Sequence, residues 1–167
     1  MKNPPPLTVR LATEADLVEM TQLWRVMMDY HAEVEPRFRP LPPPAGEEAW
    51  MDHMRKDVFG SEDSCIFLAE MDGRIVGQMI GLLRDEYAVF QPRQYGYVTD
   101  VAVDPAARRS GVGRALFKAV ANWFRDRGVS HLRLMVAHNN PISQPFWRAM
   151  GCTDYMDVLW YDLTEGQ

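Results

Sequence analysis

Cysteine is scarce in this 167-residue chain: Cys65 and Cys152 are the only two. Two thiols are too few for a disulfide framework or a thiolate metal cluster, and none is expected. Both read as reduced, as in a cytoplasmic protein. Long apolar runs are also missing, so no segment is expected to span a bilayer. After Met1-Lys2 comes Asn3-Pro4-Pro5-Pro6, which lacks the apolar core of a secretory signal. A basic excess is missing too. Lys and Arg number 18 against 23 Asp and Glu, a net charge of −5 that argues against general nucleic-acid binding. The acidic balance is compatible with a cationic substrate. No internal repeat or domain boundary is visible. Residues 1–6 read as a disordered lead and 7–167 as one domain, long enough for a sizeable core.

Hydrophobic spacing then sets the elements. Leu7, Val9 and Leu11 alternate as a first strand. Thr13 with Asp16 forms a capping signal ahead of a helix. Leu17, Met20, Leu23, Trp24, Met27 and Met28 lie on one face of that helix. Prolines from 36 to 44 break the chain, and a second helix is expected at 46–58. Residues 65–70 and 75–83 flank Asp72-Gly73 as a hairpin. A polar and aromatic connection at 84–94 leads to a strand at 95–103. Val112, Leu116, Ala119, Val120, Trp123 and Phe124 form a helical face closed by Gly128. A strand at 131–137, a short helix from Asn140-Pro141 to Met150-Gly151 and a last strand at 152–163 complete the chain. The class is α+β (α/β mixed): a mostly antiparallel twisted sheet of six to seven strands with about four helices.

Between the strand ending at Asp104-Pro105 and the next helix stands Arg108-Arg109-Ser110-Gly111-Val112-Gly113-Arg114. Unpaired N–H groups at a helix start favour an anion, and glycines admit it close to the backbone. The turn therefore suits a phosphate-bearing cofactor. A P-loop needs Gly-Lys-Ser/Thr, which Gly113-Arg114-Ala115 does not provide. A dinucleotide fingerprint needs a third glycine where this chain has Leu116.

The pattern Arg108-x-x-Gly111-x-Gly113 after Val101-Ala102-Val103-Asp104-Pro105 resembles the Gcn5-related N-acetyltransferase (GNAT) superfamily. A second match, Asn140-x-x-Ser143-x-x-x-Trp147-x-x-x-Gly151, lies where that family's next motif falls. The resemblance implies acetyl-CoA, or another acyl-CoA, as cofactor. Its pyrophosphate would take N–H groups of 109–114, with charge from Arg108, Arg109 and Arg114. Its pantetheine arm would pair with the strand at 100–103, where family members carry a bulge. Asn140 matches a residue that hydrogen-bonds this arm, and it also reads as a helix N-cap. Cofactor contacts are thus expected at Val101, Ala102, Val103, Arg108, Arg109, Ser110, Gly111, Val112, Gly113, Arg114, Asn140, Ser143 and Trp147.

The resemblance further implies direct transfer to a bound amine through a ternary complex. With a reference lysine pKa of ~10.4, on the order of one amine in a few thousand is neutral at pH 7, so a base helps. Backbone N–H groups at 101–103 are candidate oxyanion donors. Tyr97, Thr99, Val101 and Val103 read as one strand face, and Val98, Asp100 and Ala102 as the other. Family members often carry a glutamate at the position of Tyr97 or near Thr99. Asp100 is the only acid in this run and the first candidate base, with an Asp held by backbone or arginine contacts as its structural reading. His138 is a second candidate. Where many family members have a tyrosine acid, this chain has Trp147, whose indole gives up no proton. Ser143 and Tyr155 are substitute donors. Pro145 removes a backbone donor, so the helix around it is expected short, split or kinked.

The acceptor is expected to be a small-molecule or peptide amine. In the family its slot is lined by the first two helices, their connection and the loop after the hairpin. Here that points to Tyr30, His31 and Tyr87, beside Glu33 and Glu35, as groups suited to a cation. Family members are often dimers through their last strands, so a homodimer is also expected. A non-catalytic acyl-CoA-binding regulatory module is the rival reading.

Overall fold

The computed structural model describes residues 6–163. The expected lead at 1–6 lies outside them apart from Pro6. Strand β1 (Thr8–Leu11) is followed by a 3-10 turn at Glu14–Asp16 and helix α1 (Leu17–Val34). Thr13 N–H donates to Asp16 Oδ2 at 2.7 Å, so the predicted capping pair opens this segment. Helix α2 (Ala45–His53) runs into a π-helical turn at Met54–Val58. Strands β2 (Ser64–Met71) and β3 (Arg74–Asp85) form the hairpin. Asp72 (φ 52°) and Gly73 (φ 71°) make its turn left-handed, matching the twist of the flanking strands. Then come β4 (Gln94–Val103), α3 (Val112–Asp126), β5 (Leu132–Leu134) and α4 (Ser143–Ala149). Among the described residues no helix is long and apolar enough to cross a membrane.

One sheet has the order β1-β2-β3-β4-β5, antiparallel throughout except for the parallel β4–β5 pair. Two apolar layers cover it. Met20, Trp24 and Met27 of α1 and Trp50 of α2 pack on Leu68, Ile80 and Leu82. Val112, Leu116, Val120 and Phe124 of α3 pack on the other face against Met79 and Val98. Each fully buried side chain of this size contributes roughly 1.5–3 kcal/mol. Small residues let α3 lie close to the sheet: a Cβ at Gly96 would meet the Phe124 ring at 2.7 Å.

Three expectations need correcting. The sheet has five strands, not six or seven, because residues 152–163 form no strand. That segment is apolar on both would-be faces, yet Val158 and Leu159 are exposed. The strand expected at 131–137 shortens to three residues, since β5 pairs β4 only up to Val98↔Leu134. Along β4 the face assignment also fails. Met79 pairs Val101 and Gly81 pairs Val98, so Thr99 and Asp100 together oppose Ile80. This bulge inverts the alternation: Val98 packs under α3 with Val101 and Val103, while Ala102 packs under α1. The helix with Pro145, α4, is short, one of the three expected outcomes, and is not split. Pro145 is its third residue, in a first turn whose N–H groups largely lack helical partners.

Candidate functional site

The bulge and the early end of β5 have one consequence. From Thr99 onward the β5 side of β4 carries no neighbouring strand. Thr99, the first residue past the β5 pairing, is exposed. The two strands part here, and beyond the parting lies a cavity of about 580 Å³. Val101, Ala102 and Val103 form its sheet wall. Leu23, Met27 and Tyr30 of α1 close one side, and Ser143 and Phe146 of α4, with Met150 just after it, the other. Arg108, Arg109, Gly111, Val112, Gly113 and Arg114 form its far end.

That far end is built by local backbone chemistry. Asp104 accepts the Ala106 N–H at 2.9 Å and starts a 3-10 turn at Pro105–Ala107. Ser110 Oγ donates to the Ala107 carbonyl at 2.5 Å, holding the loop back on itself. Arg109 (φ 63°) and Gly111 (φ 91°) are both left-handed, and α3 begins at Val112. Alternating handedness turns successive N–H groups inward, the geometry of an anion-binding nest. Nothing lies within 4 Å of the position a Gly111 Cβ would take. Gly113 answers a different need: a Cβ there would meet the Phe146 ring at 3.0 Å, so it seats α4 against α3. The Arg108 guanidinium stands 5.6 Å from the Tyr30 ring, which joins α1 to this loop.

Asn140 is 1% exposed. Its Oδ1 accepts N–H groups from Ile142 (3.1 Å) and Ser143 (2.8 Å), but its Nδ2 is buried without a partner. Such an orphaned donor costs free energy unless a ligand or water meets it. An amide-bearing cofactor arm fits that donor, and a pyrophosphate fits the nest. The residues present therefore suit an acyl-CoA.

On the α1/α2 face, Asp100 is partly buried and its Oδ2 accepts Trp50 Nε1–H at 3.1 Å. Burial pushes its carboxyl above the usual range, opposed by Trp50 and by the nearby His53 and His31. Burial holds His31 below its usual range, opposed by Asp100. Tyr97 is also pushed up, mainly by burial. Among the described residues no group of three or more His, Cys, Asp and Glu is arranged to hold a metal ion.

Several expected site residues stand elsewhere. Trp147 is in the core, edge-on to Phe117 (5.6 Å) and Phe146 (4.9 Å), and does not line the cavity. Tyr87 is 79% exposed on the β3–β4 connection. Tyr30 and His31 do line the cavity, though Tyr30 faces the phosphate loop. Ser143 lines it too, beside the capped turn. His138 is exposed in the loop after β5. Tyr155 is exposed with its ring 5.0 Å from the Arg133 guanidinium. Trp50 was absent from the expected site. Its place in a mixed helical stretch between Glu48 and Asp52 carries no sign that its indole meets a carboxylate on β4.

A family model described as "Acetyltransferase (GNAT) family" matches residues 24–152. A mycothiol acetyltransferase of Thermomonospora curvata is 29% identical over 143 residues, covering 73% of this chain and 46% of that protein. An L-2,4-diaminobutyric acid acetyltransferase of Nocardia farcinica is 36% identical over 83 residues, 50% of this chain and 40% of that protein. The chain spans about half the length of the curated relatives it matches. Among solved structures, an aminoglycoside 6'-N-acetyltransferase from Acinetobacter baumannii superposes with a TM-score of 0.74 at 20% identity, covering 96% of this chain and all of that one. A tetramutant of the BH1408 protein from Bacillus halodurans reaches 0.79 at 21% identity, covering 93% and 99%. At these identities the likeness is one of fold.

Proposed function

Because the chain belongs to the GNAT acetyltransferase family, we propose that it transfers the acetyl group of acetyl-CoA directly to a primary amine of a small molecule or peptide. The observation carrying this reading is the single cavity that joins the parted edge of β4 to the nest at 109–114. Bound acetyl-CoA supplies an acyl group activated as a thioester.

The chain's own groups then divide the work. N–H groups of 109–114 and the Arg108, Arg109 and Arg114 side chains hold the pyrophosphate. Backbone groups of 101–103 hold the pantetheine arm and stabilise charge developing on the carbonyl oxygen. Asn140 Nδ2 donates to an amide of the arm. Asp100 takes the proton of the incoming ammonium; its raised affinity for a proton brings it nearer the range a general base needs. Trp147, in the core, gives no proton. As the new C–N bond replaces the C–S bond, coenzyme A would therefore leave as the thiolate, whose reference pKa of ~8.5 makes it a fair leaving group without an acid. Thr99 and Tyr97 border the acceptor, with His31 on the α1 side.

Relatives named for diaminobutyric acid and thialysine support a small amine as acceptor. A homodimer is supported by the exposed apolar segment at 155–163 and by the β5 edge that no described strand covers. Sedimentation equilibrium reads it: a monomer at all concentrations contradicts the dimer. The cofactor assignment is tested by soaking crystals with acetyl-CoA. Density along 101–103 and over 109–114 supports it, and density elsewhere overturns it.

A further inference from the structure

Trp50 is held on three sides. It is 7% exposed, it stacks on Trp24 at 5.4 Å and 22°, and its N–H reaches Asp100 Oδ2 at 3.1 Å. Trp24 is itself buried on α1 and lies under the Arg25 guanidinium at 5.6 Å. The direction of the indole N–H is therefore fixed by core packing rather than by a free rotamer. Trp50 and Gly46 are the buried residues of α2, so this ring is also that helix's main anchor.

The surroundings of Asp100 leave few other groups to control its charge. From α1 comes His31 and from α2 comes His53. On β3 the residue facing the bulge is Ile80, and the next on that face, Gln78, is neutral. His53 is more than half exposed and its Nδ1 meets Asp57 at 2.8 Å. His31 is pushed toward its neutral form by burial. At neutral pH the indole is thus the constant donor. It neither titrates nor accepts, so it favours the carboxylate over the acid at every pH.

We propose that Trp50 is a positioning residue, whose clamped indole N–H orients Asp100 on the β4 bulge and keeps it charged for the acceptor amine. One oxygen is engaged by Trp50, and the second takes the amine's proton. This rests on the reading of Asp100 as the base. The α1–α2 stack thereby becomes part of the acid–base machinery and not only of the core.

The test compares wild type, Trp50→Phe, Asp100→Asn and the double variant. The phenyl ring keeps an aromatic face toward Trp24 and removes the donor together with part of the indole's packing volume, a loss that by itself moves neither titration. Two readouts are taken: kcat/KM against pH, from about pH 5 to about pH 9, and the carbon-13 NMR titration of the Asp100 carboxyl without substrate. In wild type the Trp50 indole N–H resonance should follow the carboxyl titration, a readout that needs no variant. With Trp50→Phe the acid limb should move to higher pH, with a loss of roughly three- to tenfold concentrated on the acid side. The carboxyl titration should move the same way, and the limb shift should vanish in the Asp100→Asn background. An unmoved carboxyl titration and acid limb in Trp50→Phe overturn the role of Trp50 while leaving Asp100 as base. An acid limb that survives Asp100→Asn overturns the base itself, and this inference with it.

Discussion

Asn140 Oδ1 accepts the Ser143 N–H at 2.8 Å, while the same side chain's Nδ2 is buried and unpartnered. One residue thus carries two separable features, a cap on the turn into α4 and a buried donor with no partner. Asn140→Asp keeps an acceptor for the cap but removes the donor. Asp caps as well as Asn, but a carboxylate oxygen buried where Nδ2 stood should lower fold stability by about 1–3 kcal/mol. Acetyl-CoA affinity should fall roughly tenfold or more, as a buried carboxylate faces the arm's amide carbonyl. Calorimetry of binding and thermal melts separate the two. Lowered melts with unchanged acetyl-CoA affinity in the folded variant would mean that Asn140 is only a cap.

Gly111 provides a second test. Its φ of 91° and the open space above its Cα mean that a side chain fits but the backbone is strained. Asp tolerates the left-handed region better than most residues, so Gly111→Asp should cost about 1 kcal/mol of stability. The carboxylate would stand at the anion nest. Acetyl-CoA binding should weaken well beyond tenfold by electrostatic repulsion. Unchanged affinity in a folded variant would put the pyrophosphate elsewhere.

Trp147 occupies the core, between Phe117 and Phe146. Trp147→Phe should destabilise the fold by about 1–3 kcal/mol through lost packing. Turnover should stay within a few-fold of wild type. A thousandfold loss of kcat with intact cofactor binding would show that an indole contributes to the chemistry after all.

The Arg10 guanidinium bonds both Asp16 (2.7 Å) and Glu70 (2.8 Å), tying β1 to β2 and to the turn before α1. The hydrogen bond from Arg10 holds Asp16 well below the usual carboxylate range. Below its unfolded pKa of ~3.9 the unfolded chain binds the proton first. The stabilisation is therefore complete above about pH 5 and lost as pH falls toward the folded value. Asp16→Asn should lower stability at pH 7 by roughly 1–2 kcal/mol, discounted for the partial exposure of Arg10. It should also flatten the decline below about pH 4. Urea melts across that range check both; an unchanged slope contradicts the ion pair's role.

Much of this was legible in the residues. Alternation located β1, helical spacing located α1 and α3, and apolar runs on either side of Asp72-Gly73 located β2 and β3, whose two faces are both covered. Asp72-Gly73 and Gly111 were readable because their backbone demands φ above zero. The bulge at Thr99 and Asp100 was not legible as a change of face, since it depends on the register with β3. That one extra residue turned Asp100 and Ala102 away from Val98 and brought Asp100 to Trp50. The segment at 152–163 has strand-forming residues on both faces, but a strand needs a partner edge, and pairing is a tertiary property. Trp147 matched a motif position in sequence, yet burial beside Phe117 decides its role.

The central claim is that an acyl-CoA held by β4 and the Arg108 loop gives its acyl group to an amine. Thiol release from acetyl-CoA, followed across a panel of diamines, amino acids, aminoglycosides and peptide N-termini, tests it most directly. Release should depend on the amine, at a rate that Asp100→Asn lowers by roughly a hundredfold or more. Measurable acetyl-CoA binding without release for any amine would contradict it and leave a protein that binds the cofactor without using it.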